Sequence, residues 1–199
     1  MARAAANETD PRRHLGDRSK YDALMAIVRS RVTSRAFDQS YEMPREHCEM
    51  ILEAARHAPS GANTQPWHFI VVTDKEQLRQ ISQLRTPINW LADAPLAIAI
   101  VLEGASDVGE TYDEGRVTER LLIGAHLLGL GGGTAWFGDA SQQQQGKEIL
   151  GIPAERTARS VVALGYPAST RDPRPGAAPG GRKPLAEIVS YGRMGESRA

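Results

Sequence analysis

A three-layer α+β domain is the fold class this sequence predicts, on three observations. Its 199 residues, 41% of them hydrophobic and 24% charged, suffice for one globular domain with a single sizeable core. Three short apolar runs, "WHFIVVT", "LAIAIVL" and "SVVALGY", have the length and apolar density of buried strands. The helical segments around them do not alternate strictly with the strands, which argues against a doubly wound sheet.

Taken in order, residues 1–20, "MARAAANETDPRRHLGDRSK", lack apolar periodicity and are expected to be a mobile tail ahead of a single domain over 21–199. From Tyr21, the residues Leu24, Ile27 and Val28 recur at helical spacing up to the stretch "RSRVTSRAF". In "MPREHCEMILEAARHA", Pro44 suits a first helical turn, while Cys48, Ile51, Leu52 and Ala55 make one buried stripe. After the first strand, Asp74 with Gln77 three residues later resembles a capping box for a helix carrying Leu78, Ile81 and Leu84. The second strand follows. "YDEGRVTERLLIGAHLLGLGGG" then reads as a long helix whose face includes Val117, Leu121, Ala125 and Leu128, ended by the glycines from Gly129 onward. Ser141 is placed to cap a short helix to Leu150, Gly151 closes it, and the third strand comes next. From about 167, "PASTRDPRPGAAPGGRKP" is too rich in Pro, Gly and Arg to build a core and is expected to be an extended C-terminal segment.

Composition narrows the function. Twenty-four Lys plus Arg balance twenty-four Asp plus Glu, so no global field attracts nucleic acid or an anionic membrane, and any anion site must be local. A single cysteine, Cys48, allows neither an internal disulfide nor a multi-cysteine metal cluster, and its helical spacing marks a core thiol. The longest apolar run, "APLAIAIVL", is of strand length and far short of a membrane span. With no apolar signal-type segment at the N-terminus, a cytoplasmic protein is expected.

Four segments carry the chemistry. In "RSRVTSRAF", Arg31, Thr33 and Arg35 at i, i+2 and i+4 converge two guanidinium groups and a hydroxyl, a donor set that suits phosphate oxygens. In "APSGANTQPW", Ser60, Asn63, Thr64 and Gln65 supply dense polar groups between prolines that fix the path, ahead of Trp67. "GLGGGTAWFG" follows a helix, whereas a dinucleotide-binding glycine fingerprint follows a strand and opens a helix. It reads instead as flexible backbone, ending in Thr134-Ala135-Trp136-Phe137, that can approach a planar ligand closely. "GGRKPLAEIV" adds Arg182 and Lys183 after flexible residues.

Arg-x-(Ser/Thr)-x-Arg-x-Phe, then Ala-Pro-Ser-Gly-x-Asn-x-Gln-Pro-Trp-x-Phe, then Gly-Leu-Gly with Trp-x-Gly nearby, "LGYP" and Arg-Lys-Pro-Leu, in this order, resemble the FMN-dependent nitroreductase family from about Ala26 to Tyr191. The resemblance implies a mixed, mostly antiparallel central sheet flanked by helices, in an intertwined homodimer with two FMN sites at the subunit interface. It implies that Arg31, Thr33 and Arg35 hold the FMN phosphate and ribityl chain and that Arg182 completes the phosphate site. Pro59, Ser60 and Gly61 would pack on the isoalloxazine from the other subunit, with Asn63 bonding its polar edge. Main-chain N–H groups of Thr134, Ala135, Trp136 and Phe137 would face flavin N5. Thr33 stands where the family usually has serine and keeps the hydroxyl. The segment "TPINWLADAP" aligns poorly with the family's covering segment, so no substrate pocket carries over.

The implied activity is NAD(P)H-dependent reduction of a nitroaromatic, quinone or similar small aromatic acceptor by ping-pong hydride transfer. The chemistry lies at the flavin and needs no catalytic side chain, in keeping with His47, His57, His68 and His126 at structural or exposed positions. The scaffold also resembles iodotyrosine deiodinases and a flavin-fragmenting enzyme, and a flavin-sequestering protein without turnover is a further alternative.

Overall fold

The computed structural model describes residues 17–168 and 182–196. Most of the expected N-terminal tail and most of the Pro/Gly/Arg-rich segment lie outside the described residues.

Helix α1, Arg18–Ser30, begins inside the expected tail because the Asp17 carboxylate accepts the Ser19 N–H at 2.9 Å. Helix α2, Arg45–Arg56, follows Pro44 and buries Cys48, Ile51 and Ala55 along one face. Strand β1, His68–Val72, leads to helix α3, Lys75–Ser82, where Asp74 accepts the Gln77 N–H at 2.8 Å. The Gln77 amide reaches instead to Ile149 O at 3.4 Å, so the expected box is half made. A 3-10 segment, Thr86–Asp93, and strand β2, Leu96–Val101, come next.

Helix α4, Asp107–Leu127, starts five residues before Tyr112 because Ser106 Oγ accepts the Gly109 N–H at 3.2 Å. Gly129 at φ 76° ends it as expected. The glycine run then departs from the sequence reading. Gly131–Trp136 is strand β3, not flexible backbone, because Gly131 to Trp136 pair in register with Gly165 to Ser160. Asp139, not Ser141, caps helix α5, Ala140–Ile149, in a full capping box with Gln142; the carboxylate two residues earlier reaches the first-turn N–H groups. Strand β4, Ser160–Gly165, and the one-turn helix α6, Leu185–Ile188, complete the elements.

The sheet order is β1-β2-β4-β3, every adjacent pair antiparallel, with one parallel bridge from Thr33 to Gly132 beyond β3. Central β2 and β4 are buried along their whole length, and their alternating side chains feed two cores. On one face Ala97, Ala99, Val161 and Ala163 meet Leu78, Ile81, Ile88 and Leu91 from α3 and the 3-10 segment. On the other, Ile98, Ile100, Val162 and Leu164 meet Ile51 and Ala55 of α2 and Val117, Leu121 and Ala125 of α4. These are the three layers the sequence predicts.

At one end of α4 a charged network seals the sheet. Arg159 pairs with Glu114 at 3.1 Å and Asp107 at 2.5 Å, and Ser160 Oγ donates to Glu114 at 2.8 Å. Removing Arg159 would leave the nearly buried Glu114 carboxylate without its cation, the costly way to break such a pair. Burial, with the Glu49 carboxylate adding, pushes the Cys48 thiol above its ordinary value, which suits a core thiol rather than a nucleophile.

Candidate functional site

The three glycines of β3 explain how the arginine segment is placed. Ser34 N–H donates to Gly132 O at 2.9 Å, so the segment from Arg31 to Phe37 lies along the outer edge of β3. A methyl group on Gly133 would lie 2.9 Å from Ser34 O, 3.2 Å from the Trp90 ring and 3.3 Å from the Thr33 methyl; one on Gly131 would collide with Ser34 Oγ. Only glycine lets the two chains come this close. Two residues on, on the same face, Ala135 carries its methyl into the core without conflict.

Four contacts hold the segment and its approach from α1. Ser30 Oγ and His126 Nε2 are 2.7 Å apart, joining the end of α1 to the last turn of α4. Arg31, its side chain 20% exposed, lies 3.4 Å from Glu119 of α4. Arg35 stacks over the Trp90 ring at 5.7 Å, and Phe37 packs against the same indole with centroids 6.4 Å apart. Thr33 is exposed and the two arginines are half-buried, Arg31 turned to Glu119 of α4 and Arg35 to Trp90 of the 3-10 segment, so each guanidinium of the predicted set has its own partner within the chain.

The outer edge of β3 continues past this contact. Phe137 N–H donates to Arg159 O at 2.9 Å, so ladder alternation also turns the N–H of Ala135 toward β4 and leaves those of Thr134 and Trp136 on the outer edge. Of the four expected main-chain donors, two therefore face the edge and two are committed to the sheet. The Trp136 side chain is 50% exposed, and the Arg85 guanidinium lies 5.0 Å from its ring.

The loop after α2 is the second half of the candidate site. Ala62, Asn63 and Gln65 adopt φ of 47°, 58° and 50°, three non-glycine residues in the left-handed region within four positions. Gln65 N–H donates to Ser60 Oγ at 2.9 Å and Asn63 N–H to Ser60 O at 3.2 Å, which holds the strained turn. The Asn63 side-chain amide makes no hydrogen bond among the described residues. Pro59, Gly61 and Asn63 are exposed and Ser60 is partly so, while Pro66 is buried and anchors the loop to β1.

The structure does not bring the two halves together within one chain. The loop runs into β1, one edge strand, and the arginine segment lies outside β3, the other edge. Three strand spacings, about 14 Å, separate those edges. Arg182 is exposed at the start of the second described stretch and makes no hydrogen bond or ion pair there.

Sequence reasoning missed Trp90, Arg85, Ser34 and Glu119. No local motif marks them, and their roles come from packing against residues more than fifty positions away or, for Ser34, from the sheet edge. The donor types suit FMN: two guanidinium groups and a hydroxyl for a phosphate, and two edge N–H groups for the rim of a planar ring.

A sequence profile described as the nitroreductase family matches residues 28–95. An Archaeoglobus fulgidus protein provisionally named NADH dehydrogenase/NAD(P)H nitroreductase is 38% identical over 158 residues, which cover 76% of this chain and 89% of that one. The solved structure of an FMN-dependent nitroreductase from Clostridium difficile R20291 superposes with a TM-score of 0.69 at 28% identity, over 74% of this chain and 89% of that one. Mouse iodotyrosine deiodinase 1 is 41% identical over 58 residues, 28% of this chain and 20% of that protein.

Proposed function

This chain belongs to the nitroreductase family, and on that premise we propose that it is an FMN-dependent oxidoreductase that uses NAD(P)H to reduce nitroaromatic, quinone or related small aromatic acceptors. The observation that supports the proposal is the docking of the Arg31–Arg35 segment along the glycine edge of β3, the same edge to which the Thr134 and Trp136 N–H groups turn. When bound, FMN would supply the redox chemistry between NAD(P)H and the acceptor.

The chain's own residues bind and orient. Arg31, Thr33 and Arg35, with Arg182, hold the phosphate and ribityl chain. The edge N–H groups of Thr134 and Trp136 meet the polar rim of the ring, where a hydrogen bond to N5 favours the reduced flavin. Pro59, Ser60, Gly61 and Asn63 reach the same flavin from a second copy of the chain. The separation of loop and arginine segment on opposite sheet edges supports that two-chain site and hence a homodimer. Among the described residues no helix is long and apolar enough to cross a membrane. We place the protein in the cytoplasm, where NAD(P)H is at hand and Cys48 stays reduced.

The test is the visible spectrum of the purified protein before and after addition of FMN, followed by NADPH oxidation with menadione. Oxidised-flavin bands and sustained turnover are expected. A colourless protein that takes up no FMN overturns the proposal, and a bound flavin without turnover favours sequestration.

A further inference from the structure

Two arginine–tryptophan pairs lie along β3. Trp90, with Arg35 over its ring, packs beside Gly133 in mid-strand, and Arg85 over Trp136 stands at the strand's end. The second pair lies two residues beyond the edge N–H of Thr134. We infer that Arg85 and Trp136 together form a subsite for an anionic group carried by the aromatic ligand that reaches the flavin, so that acidic aromatics are the preferred class. This inference rests on the FMN-dependent reading above.

Arg85 has no ion pair among the described residues, and the Trp136 ring is its only partner there. A half-buried guanidinium with no carboxylate partner among the described residues has its planar fork of donors open to a ligand. The cation is also held in place. Gln142 Nε2 donates to Leu84 O at 2.8 Å, and Ile88 N–H donates to Arg85 O at 3.1 Å, which fixes the backbone on both sides of Arg85. Gln142 itself is locked by the α5 capping box, its Oε1 accepting the Asp139 N–H at 2.9 Å. The nearest acidic residue on that element, Asp139, turns its carboxylate onto the Gln142 N–H at 3.0 Å and not onto Arg85. At the other side, alternation along β3 sends the Trp136 indole outward beside an edge N–H of its own main chain. An aromatic ligand can stack at this edge while its carboxylate or phosphate meets the guanidinium.

Two ligands could carry the anion, the acceptor through a carboxylate or the nicotinamide donor through its phosphates. Steady-state kinetics of the FMN-loaded protein separate them. Acceptors are 4-nitrobenzoate against neutral 4-nitrobenzamide; donors are NADPH and NADH against phosphate-free 1-benzyl-1,4-dihydronicotinamide. In Arg85→Ala, the kcat/KM ratio of the acidic to the neutral acceptor is expected to fall about tenfold if the acceptor carries the anion. The ratio of NADPH or NADH to the phosphate-free donor is expected to fall by a similar factor if the donor does. Arg85→Lys should retain part of the ratio that changes, and Arg85→Glu should lower it further. Unchanged acceptor and donor ratios in a flavin-loaded Arg85→Ala and Arg85→Glu overturn the subsite alone. A wild-type chain that takes up no FMN overturns this inference and the functional reading together.

Discussion

At the residue scale, the question is whether an arginine that looks like ordinary surface charge recognises a phosphate. Arg31 already has a partner, Glu119 at 3.4 Å, so a phosphate must compete with a half-exposed carboxylate that water also solvates. The incoming phosphate offers more acceptor oxygens and more charge, and the guanidinium fork can meet it bidentately. Arg182 lies about 150 positions later in the chain, and nothing local requires the two to meet. If both hold the FMN phosphate, each contributes a charge-assisted hydrogen bond of roughly 1.5–3 kcal/mol, so Arg31→Ala or Arg182→Ala should weaken FMN binding about tenfold to a hundredfold. Riboflavin lacks the phosphate and should lose far less. Isothermal titration of the apo-protein with each flavin makes the comparison; equal losses for both ligands, or none for either, remove the phosphate role.

At the scale of the element, β3 is a strand built for close approach rather than for side-chain packing. Glycine is ordinarily a weak strand former, because it orders a freer backbone and adds nothing to the sheet face. Three in succession are tolerated here because β4 supplies a full antiparallel ladder and the arginine segment covers the other edge. Gly133→Ala inserts a methyl 2.9 Å from Ser34 O and 3.2 Å from Trp90. The expected cost is about 1–3 kcal/mol of overpacking, read as a lowered thermal midpoint. Because the displaced segment carries Arg31 and Arg35, FMN affinity should fall as well. A variant with the midpoint and FMN affinity of the parent would show that the segment is not held against the strand.

For the whole molecule, the exposed apolar residues ask what covers them. Helix α1 buries none of its residues, and Tyr21, Leu24 and Val28 stand open to solvent. The stretch 182–196 is exposed throughout, with Leu185, Ile188, Val189 and Tyr191 uncovered. Patches of this kind on an isolated chain mark contact surfaces. Together with a candidate flavin site split between opposite sheet edges, they make a second copy of the chain the expected partner. Light scattering of the flavin-loaded protein should therefore give twice the chain mass at every concentration where FMN stays bound. A flavin-loaded monomer would contradict the shared site.

Periodicity alone was enough to locate helices α2 and α3, the three apolar strands and the end of α4 at Gly129, because each is set by side chains within one or two turns. The sequence also singled out the Arg31–Arg35 set and the Pro59–Asn63 loop as candidates, since both are compact in the chain. It misread β3, because a glycine strand has no side-chain alternation and exists only through its pairing with β4 and the bridge to Thr33. It gave the α5 cap to Ser141, where the Asp139 carboxylate wins by reaching the Gln142 N–H. Which main-chain donors stay free along β3, and the meeting of Arg85 with Trp136 and Arg35 with Trp90, were decided by tertiary structure alone. The physical reason is that hydrogen-bond alternation and ring stacking depend on which distant segments become neighbours, and local spacing in the chain carries no record of that.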